Sequence, residues 1–302
     1  MFKNTNSQVR AGWLILLVVI AIFIAQGIFT ELGAVILLAL QVPGADVIFE
    51  AEPFTAFDEY PWNSLIIYGG AEAGTIVAII LIWRFVNKGK LQQLGFLWSL
   101  KDAFFGLLLG ALSITLIFLI LLATGLVELK DGFTSPAFST YTLITCLFFI
   151  LVGIAEEVFF RGYIMSTMQA RDNSKWVIFI VSAIIFSLMH GMNPNVNALG
   201  LINITLIGLL FAYMFNVTKS LWLPIGYHIT WNYFQGSVFG FAVSGTESMG
   251  IYESVISSGN AFVTGGDFGL EGGVLTTFML IFGYVATKVY VKWGTRTKEI
   301  SS

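Results

Sequence analysis

Six ionisable or amide side chains stand in hydrophobic runs of the C-terminal half of the chain. Glu156, Glu157 and Arg161 lie in IAEEVFFRGYIM, His190 closes FSLMH, and His228 and Asn232 bracket HITWN. An ionisable group at the centre of a membrane span costs on the order of 2.5–3.5 kcal/mol on insertion scales, so each asks for a reason. Three pairs share one spacing: Glu157 with Arg161, Phe186 with His190, and His228 with Asn232 are each four residues apart. On a helix that spacing puts both members on one face, about a turn apart. Adjacent residues instead point about 100° apart. Glu157 can therefore pair with Arg161 while Glu156, on another bearing, is left to hold a water molecule. The two histidines are the only ones in the chain. Together these groups suit hydrolysis: Glu156, helped by His190, activates a water, and His228 and Asn232 stabilise the oxyanion formed on an attacked carbonyl. The bland alternative is that the Glu157–Arg161 pair only holds a bundle together.

A metal would use the same residues. Glu156, His190 and His228 would give three protein ligands and leave a fourth position for water, as catalytic zinc sites do. The spacing does not demand it: no HExxH is present, and the pairing at four residues is His with Asn rather than His with His. Zinc and metal-free, glutamate-activated water both stay open.

The elements that must position these groups are membrane spans. Of 302 residues, 57% are hydrophobic and 11% charged, and the mean hydropathy is +0.84. Soluble domains carry roughly 25% charged residues, so this chain cannot cover a water-soluble globule. The reading is an all-α polytopic membrane protein. With about 20 apolar residues per crossing, about eight spans fit, at roughly 11–31, 64–84, 103–124, 138–163, 176–191, 197–216, 222–243 and 272–291. The run from Ala11 to Thr30 is too long for a signal-peptide core and lacks a convincing small-residue cleavage site, so it is expected as an uncleaved first span. Leu32 to Leu40 is too short to cross alone and is expected to extend that helix or to lie at the interface. Gly70 and Gly74 form a GxxxG packing face beside Glu72, for which a structural role is expected. If the fifth span starts near Trp176, His190 lies about 20 Å along it at 1.5 Å per residue, deeper than Glu156 and His228. A fourth helix running on toward Arg171, or shifted boundaries, would bring the three to one depth.

Charge gives the sidedness. Of 15 Lys and Arg, all but Lys130 and the intramembrane Arg161 fall on the side of the amino terminus, among them Lys3, Arg10, Arg84, Arg171 and Lys292. The opposite loops hold Glu50, Glu52, Asp58, Glu128, Glu253, Asp267 and Glu271. Such a bias implies an even number of spans with both termini cytoplasmic. A net charge of −3, sorted by side, argues against a nucleic-acid partner; the lone Cys146 excludes an intrachain disulfide framework.

The order EEVFFR at 156–161, FSLMH at 186–190 and HITWN at 228–232 is similar to the EExxxR, FxxxH and HxxxN motifs of the CPBP intramembrane protease family. That family groups CAAX prenyl endopeptidases with bacteriocin-processing and self-immunity proteins, and is also called the Abi or lysostaphin-resistance-protein-A-like family. The resemblance covers about residues 138–243. It divides the chain into non-diagnostic spans at 1–137, a catalytic helical core at 138–243, and an outer loop, last span and basic tail at 244–302. What it implies is an α-helical intramembrane endopeptidase, often described as a metalloprotease, acting on membrane-associated peptides or proteins. Carried over position by position, its functional residues are Glu156, Glu157, Arg161, His190, His228 and Asn232. The expected location is a bacterial cell membrane.

Readings from other classes compete. A non-catalytic membrane scaffold or bacteriocin self-immunity protein would tolerate loss of a reactive residue, and all six are present. A transporter could relay protons through Glu and His, but no inverted repeat or pair of broken helices supports one. Aspartyl-type chemistry lacks its GxGD motif, since Asp267 sits in TGGDFG. Ser187, near His190, is expected to pack rather than react.

Overall fold

The computed structural model describes residues 8–46, 53–257 and 260–300. Lys3, Glu50 and Glu52, which entered the charge bias, lie outside the described residues. A single two-stranded sheet interrupts an otherwise helical chain among those residues. Backbone groups in lipid must be satisfied within the segment, and long helices of apolar residues do that.

Five such helices lead the chain: α1 (Ala11–Ala39), α2 (Pro61–Phe85), α3 (Leu100–Ala123), α4 (Thr140–Gln169) and α5 (Lys175–Met192). Next come α6 (Ala198–Thr218), α7 (Trp222–Tyr233) and α8, which runs from Val274 to Ile300 with its apolar part ending at Trp293. By length and apolarity, seven of the eight suffice to cross a membrane. The exception is α7, a 12-residue helix continued by a five-residue π-helical segment, Phe234–Val238. The expected span at 222–243 is thus helical over its first part and stops short of the usual crossing length.

Local chemistry sets the ends. Ser99 accepts a hydrogen bond from the Asp102 amide at the start of α3, Ser139 and Thr142 cap α4 reciprocally, and Asn197 Oδ1 accepts from the Gly200 amide at the start of α6. These caps satisfy amides that a helix start leaves without an intrahelical partner. The stretch from Leu32 is a helix extension: α1 continues to Ala39, followed by Gln41 at φ +52° and by Pro43, which cannot continue a helix. The fourth helix runs on well past 163, to Gln169.

Two compact units emerge, Met1–Phe96 with Ala137–Ser182, and Leu97–Pro136 with Ala183–Ser302. In the first, α1 packs on α2. The GxxxG face does what its spacing suggests: a Cβ placed on Gly74 would lie 2.8 Å from the Ala25 carbonyl oxygen, and Gln26 Nε2 donates to Thr75 Oγ1 at 3.0 Å across the same contact. Phe23, Ile24, Ile28 and Val35 of α1 are exposed, as suits side chains whose solvent is lipid.

In the second unit α3 packs on α7. Lipid tails are as apolar as Leu, so close helix packing rather than the hydrophobic effect must drive this contact. Gly106 and Gly110 on α3 let the backbones meet, since a Cβ at either would collide with the carbonyl oxygen of Leu223 or Tyr227. Thr230 Oγ1 donates to the Leu107 carbonyl at 2.8 Å along the same seam. Beyond it lies an aromatic core in which Phe118 stacks on Phe239 with ring centroids 4.1 Å apart. Outside the helices, β1 (Val127–Leu129) pairs antiparallel with β2 (Ser254–Ile256). Overpacking a tight contact costs about 1–3 kcal/mol, occasionally more. Gly110→Leu is therefore expected to lower the unfolding midpoint of the detergent-solubilised protein in a thermal scan, whereas Leu112→Ala, at an exposed site on the same helix, changes stability by no more than about 0.5 kcal/mol.

Candidate active site

The six residues fall into two groups of three, one on each unit. On the first unit, Glu156 and Glu157 are carried by α4 where its hydrogen bonding widens: a π-helical segment occupies Val158–Met165. Such segments are rare and recur at functional sites. Arg161 lies within it, and the expected pair forms. Arg161 Nη1 donates to Glu157 Oε1 at 2.7 Å, and both side chains are fully buried. The guanidinium also sits over the Phe160 ring, 5.6 Å from its centroid. The π segment is pinned from several sides. Ser182 Oγ donates to the Phe160 carbonyl at 3.0 Å, Tyr163 donates to the Leu14 carbonyl at 3.1 Å, and Ser166 donates to the Gln93 carbonyl at 2.9 Å.

Glu156 differs from its neighbour as the helical bearing requires. It is half-buried while Glu157 is wholly enclosed. Its carboxylate lies within electrostatic reach of Arg161 and of Glu72 on α2. Glu72, expected to have a structural role, thus also lies near Glu156. The signal was present in the sequence as an ionisable group inside an apolar span, but its neighbour could not be read from spacing.

On the second unit, α5 ends at its last turn in a 3₁₀ segment, His190–Met192. His190 Nδ1 lies 2.9 Å from the Phe186 carbonyl oxygen. A carbonyl only accepts, so Nδ1 carries a proton, and in the neutral ring the lone pair is then on Nε2. The pair expected from the FxxxH spacing is therefore held by ring contact and backbone bond at once: the Phe186 and His190 rings lie 4.8 Å apart. Phe186 also meets His228, edge on, at 6.2 Å. One phenyl ring thereby touches both imidazoles. Phe211 of α6 packs on His228 at 5.5 Å. His228 and Asn232 follow each other on α7, both buried, at 6% and 8% exposure. A π-helical segment again begins just past them, at Phe234. Ser187 packs as expected, donating to the Leu201 carbonyl at 2.9 Å.

Within neither unit do three His, Cys, Asp or Glu side chains come together among the described residues. A catalytic zinc takes three protein ligands, and the set Glu156, His190 and His228 divides one to two between the units.

The second unit also holds groups that sequence reasoning passed over. Glu271 is only 6% exposed and accepts from Gln235 and Ser244. Its position in a loop on the acidic side gave no sign of burial.

No curated protein and no solved structure matches the chain. The stretch that carries all six residues does match a known family: residues 137–234 are similar to the family described as type II CAAX prenyl endopeptidase Rce1-like.

Proposed function

We propose that the protein is an intramembrane endopeptidase that hydrolyses peptide bonds of membrane-associated peptides or proteins with a water activated by Glu156. The observation that carries the reading is the division of labour between two adjacent glutamates. Glu157 is buried and ion-paired with Arg161, which fixes the rotation of α4, and Glu156 on the next bearing is only half-buried. In the proposed reaction Glu156 takes a proton from water as the oxygen adds to the scissile carbonyl carbon. His228 and Asn232 hold the resulting oxyanion. The C–N bond then breaks as the proton passes to the leaving amine, with His190 Nε2 assisting the transfers. Support comes from the family domain, which contains all six residues in order, and from the Nδ1–Phe186 bond that leaves a basic nitrogen on His190. The charge bias further suggests that both termini face the cytoplasm, with α7 counted as a crossing.

The test compares peptides in the medium and membrane fraction of cells carrying wild type or Glu156→Gln at equal protein levels. Loss of a general base lowers the rate by about 10²–10⁴-fold. Defined peptides are expected to disappear and their precursors to accumulate in the variant. Unchanged peptides beside an intact phenotype would instead identify a non-cleaving scaffold or immunity protein.

A further inference from the structure

Glu271 occupies a one-turn 3₁₀ segment, Leu270–Gly272, just before α8, and its carboxylate is committed on both oxygens. Oε2 accepts from Gln235 Nε2 at 2.5 Å and from the Ser244 amide at 3.2 Å. Oε1 accepts from Ser244 Oγ at 3.3 Å. Each partner leads to one of the histidine-bearing elements.

Gln235 lies three residues beyond Asn232, on the π-helical segment that continues α7, and is fully buried. Its Nε2 also donates to the Ala242 carbonyl, and its own carbonyl accepts from the Phe241 amide at 3.0 Å. Ser244 leads the other way. Its carbonyl accepts from Asn193 Nδ2 at 2.9 Å, and the Asn193 amide donates to the carbonyl of His190 at 3.2 Å. Ser244 itself stands at φ +48°, a left-handed conformation that costs a non-glycine residue of order 1–3 kcal/mol unless its surroundings enforce it. Two bonds to Glu271 and one from Asn193 do so. The Glu271 carbonyl accepts in turn from Asn203 Nδ2 at 2.7 Å, so the segment is also tied to α6.

We propose that Glu271 is a positioning residue for the hydrolytic groups: one buried carboxylate that holds the His190 turn through Ser244 and Asn193, and the His228–Asn232 helix through Gln235, and so sets the spacing of the two imidazoles. The proposal rests on the endopeptidase reading for its purpose, but its geometry lies wholly in one unit. Burial pushes the Glu271 carboxyl above the usual carboxylate range; hydrogen bonds from Gln235 and Ser244 pull it back part of the way.

Because the chain has only two histidines, ¹⁵N-histidine labelling of the full-length protein in lipid nanodiscs, purified without a histidine tag, reports the two rings alone. Wild type is expected to show a protonated Nδ1 for His190, bonded to the Phe186 carbonyl. Glu271→Ala is expected to lose that Nδ1–H signal and to shift the His228 signals. Glu271→Gln, whose carbonyl can still accept from Gln235 and the Ser244 amide and whose amide can donate to Ser244 Oγ, is expected to retain both. Asn193→Ala cuts only one branch, and is expected to shift His190 while leaving His228 in place. Should Glu271→Ala fail to fold, Asn193→Ala decides. Ring signals of a folded Glu271→Ala that coincide with wild type, or an Asn193→Ala variant that shifts His228 and spares His190 or shifts neither, would overturn the proposal. These spectra need no substrate, so their failure is distinct from a failure of Glu156→Gln to change any peptide.

Discussion

Glu157→Ala is expected to remove most of the folded protein from the membrane, and the double replacement Glu157→Ala with Arg161→Met to restore it. Both side chains of the ion pair are fully buried, and the bond between them is 2.7 Å long. Deleting one partner of a buried pair leaves an uncompensated charge and costs about 3–5 kcal/mol, against a typical total stability of 5–15 kcal/mol. Glu156 also acts on the Arg161 charge. In the single variant the guanidinium is then expected to draw Glu156 toward itself, so that whatever protein folds also loses the base. Removing both charges and filling the space with an unbranched apolar chain takes away the penalty, because a buried ion pair is seldom more stable than its well-packed apolar replacement. Immunoblots of membranes and thermal scans in detergent measure both arms. A single variant as stable as wild type would show that Arg161 is not enclosed as the 0% exposure requires. A double variant as unstable as the single would mean that the pair holds the π-helical segment by its geometry rather than by cancelling charge.

What the sequence made legible follows from how strong each signal is physically. Long apolar runs can do little else than form spanning helices, and α1 to α6 and α8 lie where those runs lie. The spacing of Glu157 and Arg161 gave their pairing because a helix surface leaves residues four apart no other neighbour so close. That reasoning held even though the hydrogen bonding widens to a π-helix between them. Nothing in residue types announces the widening, since a single inserted position does not disturb an apolar pattern this continuous. The shortness of α7 escaped for a related reason: Phe239 and Phe241 keep the segment apolar after its helix has ended. Phe186 was legible as the partner of His190 and not as that of His228, because the second contact joins helices far apart in sequence. Glu72 and Glu271 mark the same boundary. Each is an acid whose neighbours, Glu156 in one case and Gln235 with Ser244 in the other, come from elsewhere in the chain. Three-dimensional proximity of this kind leaves no period in a single sequence.

The strongest consequence of the proposed reaction is non-additivity between the two groups of three. Glu156 belongs to the first unit and His190 to the second, so their joint action on one substrate makes a demand that neither unit meets alone. Glu156→Gln and His190→Ala are each expected to lower kcat by about 10²–10⁴-fold, measured by single-turnover cleavage of a precursor that accumulates in the Glu156→Gln cells. Residues serving one chemical step fail together: once the water is no longer activated, losing the group that assists its proton transfer costs little more. The double variant is therefore expected to be no slower than the slower single variant within about threefold, a coupling of about 1.4 kcal/mol for each tenfold of rate it does not lose. A product of the two single effects would instead mean that His190 serves a separate task, such as binding the substrate backbone, while Glu156 does the chemistry with other help. Glu271→Gln offers the matching control, since it preserves the hydrogen-bond pattern around Ser244 and is expected to stay within about threefold of wild type. Non-additivity confined to Glu156 with His190, beside an unaffected Glu271→Gln, would place one base and one imidazole in the same step whatever peptide is cleaved.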